Sequence, residues 1–223
     1  MTVNLGYDRF DTFAAKYDFM ATLLSKQDFF LTNLSERKGA ALDIGCGSGI
    51  LAFELAKYYE TVVGIDISEE MVAIARSKRA SDNIEYICMD ANCLAWDKKF
   101  DLIVSSATFH HLQDLTSTLQ AIKNLLNPAG KIVLRDNVSE VETPATIVYI
   151  VGAMQDFIPD CLKYGLGNAT RLFELRTSKP WLGHLASDRY LSAQQFQEIY
   201  SRVFPNCSLT KLGCFMGVIW SNI

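Results

Sequence analysis

Residues 42 to 49 read Leu42-Asp43-Ile44-Gly45-Cys46-Gly47-Ser48-Gly49, and the amphipathic stretch Ile50 to Tyr58 follows directly. An apolar run ending in an acid and three alternating glycines, then a helix-like pattern, reads as strand, tight turn and helix. Glycine lets the backbone take positive φ and approach a ligand closely, while the first N–H groups of a helix have no partner inside it. Such a turn is built to hold a small molecule. A dinucleotide fingerprint, Gly-x-Gly-x-x-Gly, requires glycine at position 50, where this chain has Ile50. Asp43, just before the turn, suits a cationic ligand better than a pyrophosphate.

The stretch Ala41 to Gly49 closely resembles the first motif of class I S-adenosylmethionine-dependent methyltransferases. Later segments follow in that family's order. Val62-Val63-Gly64-Ile65-Asp66 is a short strand ending in an acid, about twenty residues past the turn, where a ribose-binding carboxylate is expected. Ser68 caps a helix through Met71, and Ile84 to Ala91 resembles the third strand, with Asp90 as the adenine-contacting acid. Phe100 to Ser105 resembles the fourth strand, and a helix from Leu115 to Leu126 precedes the turn Asn127-Pro128-Ala129-Gly130 and a fifth strand, Lys131 to Leu134. The family usually places two glycines after that proline; Ala129 replaces one.

The resemblance implies a Rossmann-like α/β fold: a seven-stranded, mostly parallel sheet flanked by helices, with a helical lid inserted after the fifth strand. The chain is expected to form one methyltransferase domain over 1–223. Within it lie an N-terminal helical lid (1–35), a cofactor-binding core (39–136), a substrate lid (137–190), and a C-terminal helix and strand pair (191–223). The implied cofactor is S-adenosyl-L-methionine (SAM), leaving S-adenosyl-L-homocysteine (SAH). Its contacts are expected from Tyr17, Asp43, Gly45, Cys46, Gly47, Gly49, Asp66, Ile67, Met71, Asp90, Ala91 and Ser105.

The run Phe10-Asp11-x-x-Ala14-Ala15-Lys16-Tyr17-Asp18 resembles the N-terminal element of quinone-type and other small-molecule methyltransferases, in which the tyrosine lies near the cofactor. Methyl transfer from a sulfonium needs alignment and exclusion of water, and a base only where the acceptor carries a proton. The chain has three histidines, and all three are candidates for that base: His110, His111 and His184. Tyr17 is a further catalytic candidate. His110 and His111 follow the fourth strand, where paired histidines in the family also serve as packing residues. If Trp181 to Tyr190 is helical, His184 and Asp188 share a face at four-residue spacing. Asp136, Asn137, Arg171 and Trp181 are candidate substrate contacts, with Arg176, Lys179 and Arg189 adding positive charge to the same insertion.

Composition narrows the partners. The 223 residues are 49% hydrophobic and carry 21 basic against 25 acidic side chains, with no basic run interleaved with aromatics, which disfavours nucleic acid. Ser105-Ser106-Ala107-Thr108 stands where an Asn-Pro-Pro-Tyr motif would point to amino-methylation of bases or glutamine. The six cysteines form no Cys-x-x-Cys pair and have no histidine at ligand spacing, so no metal and no disulfide framework is expected. Met1 to Tyr17 lacks an apolar signal core, and the longest apolar run, Ile147 to Met154, is too short to span a bilayer and is expected to pack over the site. These features describe a cytoplasmic enzyme, monomer or homodimer without stable membrane insertion, methylating O or N of an apolar or aromatic metabolite. The alternatives are a SAM-binding regulator or biosynthetic partner without turnover, a C-methyltransferase and an NAD-dependent oxidoreductase.

Overall fold

The computed structural model describes residues 13–94, 96–141 and 144–222. Phe10 and Asp11 of the N-terminal element lie outside them.

The five-residue strand β1 (Ala40–Ile44) lies inside the sheet, third in its order. It pairs in parallel with β2 (Thr61–Asp66) and β4 (Phe100–Ser106), and β2 pairs in parallel with β3 (Ile84–Cys88). Beyond β4 comes β5 (Leu126–Asn137), also parallel, and the edge is a hairpin of β6 (Ser208–Leu212) and β7 (Phe215–Ser221), with β7 antiparallel to both neighbours. Among the described residues the order is therefore β3-β2-β1-β4-β5-β7-β6, the mostly parallel seven-stranded sheet that the motif order predicts. The order reverses between β1 and β4, so their carboxyl ends open a crevice. The glycine turn after β1 sits in it.

Strand alternation sends the core to both faces. Leu42, Ile44, Ile103, Ile132 and Leu134 pack on one side against Leu119, Ile122, Phe196 and Tyr200. Ala41, Leu102, Val104 and Val133 pack on the other against Leu51, Leu55, Val72 and Phe30. Apart from Phe30, the helical partners come from α3 (Ile50–Leu55), α4 (Glu69–Lys78), α5 (Leu115–Asn124) and α9 (Ala193–Val203). In α9, Phe196, Tyr200 and Val203 recur at helical spacing and are all buried, and Ser192 and Gln195 form a capping box at its start. Ala129 takes φ 60°, the left-handed conformation that the family's glycine there would adopt without strain.

Among the described residues the N-terminal segment forms two helices, α1 (Ala14–Leu24) and the short α2 (Asp28–Leu31), broken where Ser25 turns extended. Buried Asp18 ties α1 to the core, accepting from Lys78 Nζ at 2.6 Å and Arg79 Nη1 at 2.7 Å. Arg79 also donates to the Ser48 carbonyl at 2.8 Å, so this link reaches the glycine turn. Burial alone would raise the Asp18 pKa, but hydrogen bonds from Lys78, Ser48 and Arg79 outweigh it and hold the carboxyl below 3.8. A depressed carboxylate stabilises the fold fully above its unfolded pKa and loses that contribution as pH falls through the folded value. Asp18→Asn is therefore expected to cost about 1–3 kcal/mol at pH 7 and to flatten the acid limb of a thermal-melt pH series. An unchanged melting temperature would remove this anchor.

Among the described residues the insertion, expected as a helical lid, folds into three helices: α6 (Thr146–Tyr164), α7 (Leu166–Arg176) and α8 (Lys179–Leu185). Pro159 lies inside α6, and Pro180 occupies the first turn of α8, where its missing N–H costs nothing. The run Ile147 to Met154 is helical as expected but does not lay its large apolar side chains over the site. Ile147, Val148, Val151 and Met154 are exposed, and α6 turns Ala153 inward. No helix among the described residues is long and apolar enough to cross a membrane.

Candidate functional site

Each β-strand delivers one part of the crevice at its carboxyl end. Gly45, Gly47 and Gly49 all have positive φ, of 69°, 53° and 85°. A Cβ on Gly45 would collide with the Thr108 side chain, and one on Gly49 would stand 2.7 Å from the Tyr86 hydroxyl. At Gly47 nothing lies within 4 Å of that position, so its backbone faces open space. Asp66, ending β2, accepts from Gly47 N at 2.8 Å through Oδ2 and from Ser68 N at 2.9 Å through Oδ1. One carboxylate thus fixes both the turn and the start of α4.

These groups wall a cavity of about 540 Å³. Its lining includes Gly45, Gly47, Asp66, Met71, Asp90 and Ala91 of the glycine-turn side of the sheet together with Tyr17, His110, His111, His184 and Arg189. A smaller cavity of about 80 Å³ adjoins it, reached by Tyr17, Asp43, Cys46 and Arg135. Asp43 is fully buried in its wall, and its Oδ2 has no hydrogen-bond partner among the described residues. Burial pushes its pKa up to about 7, helped by the charge of Asp66 and opposed by a hydrogen bond from the Ala52 backbone. A buried, unanswered carboxylate oxygen beside an open glycine cradle is the chemistry a cationic amino-acid-like ligand would complete.

Most cofactor candidates from the sequence therefore meet in one place. Two do not line either cavity. The Ser105 hydroxyl turns back to the Ile44 carbonyl at 2.7 Å, and Ser106 takes the cavity wall instead, because neighbouring strand residues point to opposite faces. Gly49 instead gives room to the Tyr86 ring.

The acceptor end is a histidine cluster around buried carboxylates. Phe109–His111 is a single 3₁₀ turn after β4, and it brings the His110 and His111 rings to 4.0 Å between centroids. Asp136, near the end of β5, accepts from His110 N at 2.8 Å and lies 2.6 Å from His110 Nδ1. An ionised carboxylate only accepts, so Nδ1 carries the proton and Nε2 keeps its lone pair. Burial would lower the His110 pKa, but the charge and hydrogen bond of Asp136, with Asp188 adding to them, raise it above 6.5. His111 goes the other way: burial, then the neighbouring His110 and His184, push it down to about 2.

Asp188 closes the cluster. Its carboxylate lies 3.8 Å from His110 Nε2, 3.4 Å from His111 Nδ1 and 3.9 Å from His184 Nε2, and Tyr190 donates to it at 2.7 Å. The expected pairing of His184 with Asp188 forms, although α8 ends at Leu185 and Asp188 follows in the turn beyond it. Burial raises the Asp188 pKa, against the opposing charge of His110 and the Tyr190 hydrogen bond. The expectation of no metal set rested on cysteine spacing; His110, His111 and Asp188 nonetheless bring one ligand atom each within 4.8 Å of one another.

The remaining substrate candidates separate. Asp136 is the orienting partner of His110, and with Asn137 it borders a different small cavity. Trp181 lines neither cavity and packs on Phe13 at 5.8 Å, Tyr17 at 6.0 Å and His184 at 5.5 Å between ring centroids. Arg171 is placed wrongly for a substrate contact: it is exposed and stacks on Phe19 at 3.7 Å. Arg176 pairs with Asp160 at 2.7 Å, whereas Arg189 reaches the main cavity.

Comparison with known proteins agrees with this geometry. Residues 42–134 match the family model described as a methyltransferase domain. The chain is 34% identical over 96 residues to a malonyl-[acyl-carrier protein] O-methyltransferase of Priestia megaterium, covering 42% of this chain and 35% of that one. It is also 34% identical over 94 residues to a ubiquinone biosynthesis O-methyltransferase of Coxiella burnetii, covering 41% and 40%. These matches thus span about two fifths of those relatives' length. A solved DhpI–SAH complex superposes with a TM-score of 0.64 at 18% identity, covering 96% of this chain and 94% of that one. Residues 42–134 thus match a methyltransferase domain, and the ordered motifs and sheet order are similar to those of class I S-adenosylmethionine-dependent methyltransferases.

Proposed function

We propose that the protein transfers the methyl group of SAM to an oxygen atom of a small-molecule acceptor. The observation that carries this reading is the His110–Asp136 pair, whose imidazole lines the same cavity as Asp66 and Asp90. The glycine turn and Asp66 would hold the ribose and amino-acid portions of the cofactor, Asp90 the adenine, and Asp43 would balance its positive charge. SAM bound there supplies an electrophilic methyl group on a sulfonium.

His110 Nε2 takes the proton of the acceptor hydroxyl as the oxygen attacks, and Asp136 steadies the imidazolium that results. His111, neutral throughout the working pH range, offers a hydrogen-bond acceptor rather than a base. Arg189 adds a cation that suits an acceptor carrying a carboxylate. Helix α1 and the helices α6 to α8 form the lid in this reading. Contacts of Tyr17 and Phe13 with Trp181 support it, because they join the two segments over the acceptor end. Oxygen is favoured over nitrogen because a raised-pKa imidazole held by a carboxylate serves a protonated nucleophile, and the two relatives above are named O-methyltransferases.

Incubation with methyl-labelled SAM and a panel of hydroxylated, phenolic and carboxylated metabolites is expected to move label into a product with formation of SAH. Label on carbon or nitrogen only would overturn the oxygen assignment, and SAM binding without turnover on any acceptor would favour a regulator.

A further inference from the structure

We propose that His110, His111 and Asp188 form a binding site for a divalent transition ion of the zinc or cobalt type at the acceptor end of the cavity. Three observations carry it. First, the donor atoms are at hand: His110 Nε2 lies 3.8 Å and His111 Nδ1 3.4 Å from the Asp188 carboxylate, and the three ligand atoms all lie within 4.8 Å of one another. A tetrahedral ion with bonds of about 2.0–2.1 Å separates its ligand atoms by about 3.3–3.4 Å, so small side-chain rotations close the set. Second, two imidazoles and one carboxylate select zinc, cobalt or nickel over magnesium and calcium, which take oxygen ligands.

Third, the outer shell is built. A metal-binding imidazole is oriented by a carboxylate on its other nitrogen, and Asp136 holds His110 Nδ1 in that way at 2.6 Å. The Tyr190 hydroxyl fixes Asp188 Oδ2 at 2.7 Å. The cluster is well shielded, with 6% of the His110 and 2% of the Asp188 side chain exposed, while His111 at 23% keeps the set open toward the cavity. Three protein ligands leave a fourth position on that side, the arrangement of sites that admit an exchangeable ligand. His184 Nε2, 3.9 Å from Asp188, stands beside it. The ion and the acceptor's proton compete for the same Nε2 lone pair of His110. Ion binding is read without SAM or acceptor, so its outcome is independent of the methyl-transfer reading.

The test is a cobalt(II) titration of the chelator-stripped full-length protein, followed by visible absorption. Exposed Cys88, Cys93 and Cys214 are first replaced by serine so that thiolates contribute nothing. Saturation at one ion per chain is expected, with the intense visible bands of a four-coordinate site, and zinc should bleach them by displacement. His111→Gln and Asp188→Asn should each weaken binding on the order of tenfold or more. Far-UV circular dichroism separates loss of a ligand from loss of fold, and partly exposed His111 is the variant least exposed to that risk. Failure of the spectrum to saturate, or equal affinity in the folded His111→Gln variant, would overturn the site.

Discussion

His110→Ala is expected to slow methyl transfer by about 10²- to 10⁴-fold in chelator-treated buffer, with SAM affinity almost unchanged. The reason is geometric: the ring is fixed through Nδ1 by Asp136, which leaves Nε2 as the proton acceptor at the cavity wall. The pH profile sharpens the expectation. Asp136 holds the His110 pKa above 6.5, and only the neutral ring accepts a proton, so the rate should fall as pH drops below that raised value. Asp136→Asn removes the charge that raises the pKa, so the acid limb should move to lower pH while the maximal rate drops. An alanine variant with the parent rate, or an acid limb that stays in place in Asp136→Asn, would leave His110 a packing residue.

Asp66→Ala is expected to act on the opposite parameter. Its carboxylate anchors Gly47 N and Ser68 N, so the substitution removes the two bonds that shape the cradle along with the carboxylate proposed to hold the ribose. Each hydrogen bond to a charged group contributes about 1.5–3 kcal/mol, and the cost to SAM affinity should fall at about 3 kcal/mol, near two orders of magnitude in Kd. Asp66→Asn retains one acceptor oxygen and should lie between. A loss of turnover without a loss of affinity would mean that Asp66 serves the chemistry rather than the cofactor.

The sheet and the cofactor end were legible in the sequence because they depend on local signals. Alternating glycines, acids at or just past the ends of β1, β2 and β3 and an apolar run before each turn are readable within ten residues, and most of them meet in one crevice. The acceptor end was legible only in its ingredients. His110 and Asp136 stand 26 residues apart, and what joins them is the parallel pairing of β4 with β5, a tertiary fact. Asp136 thus read as a substrate contact when it is a partner of the imidazole. Asp188 was expected to meet His184 alone, yet the turn after α8 lays it among three imidazoles.

Ser105 in place of Ser106 was an error of one residue, which in a strand reverses the face. The outward apolar row of α6 could not be oriented from sequence. An amphipathic helix declares that it has an apolar face, not what covers it.

The central claim is that the glycine crevice holds SAM. Calorimetric titration of the purified protein with SAM and with SAH tests it most directly. Saturable binding of both ligands at one per chain, weakened in Asp66→Ala, is the predicted result; heats of dilution alone for both ligands with a folded protein would contradict the account.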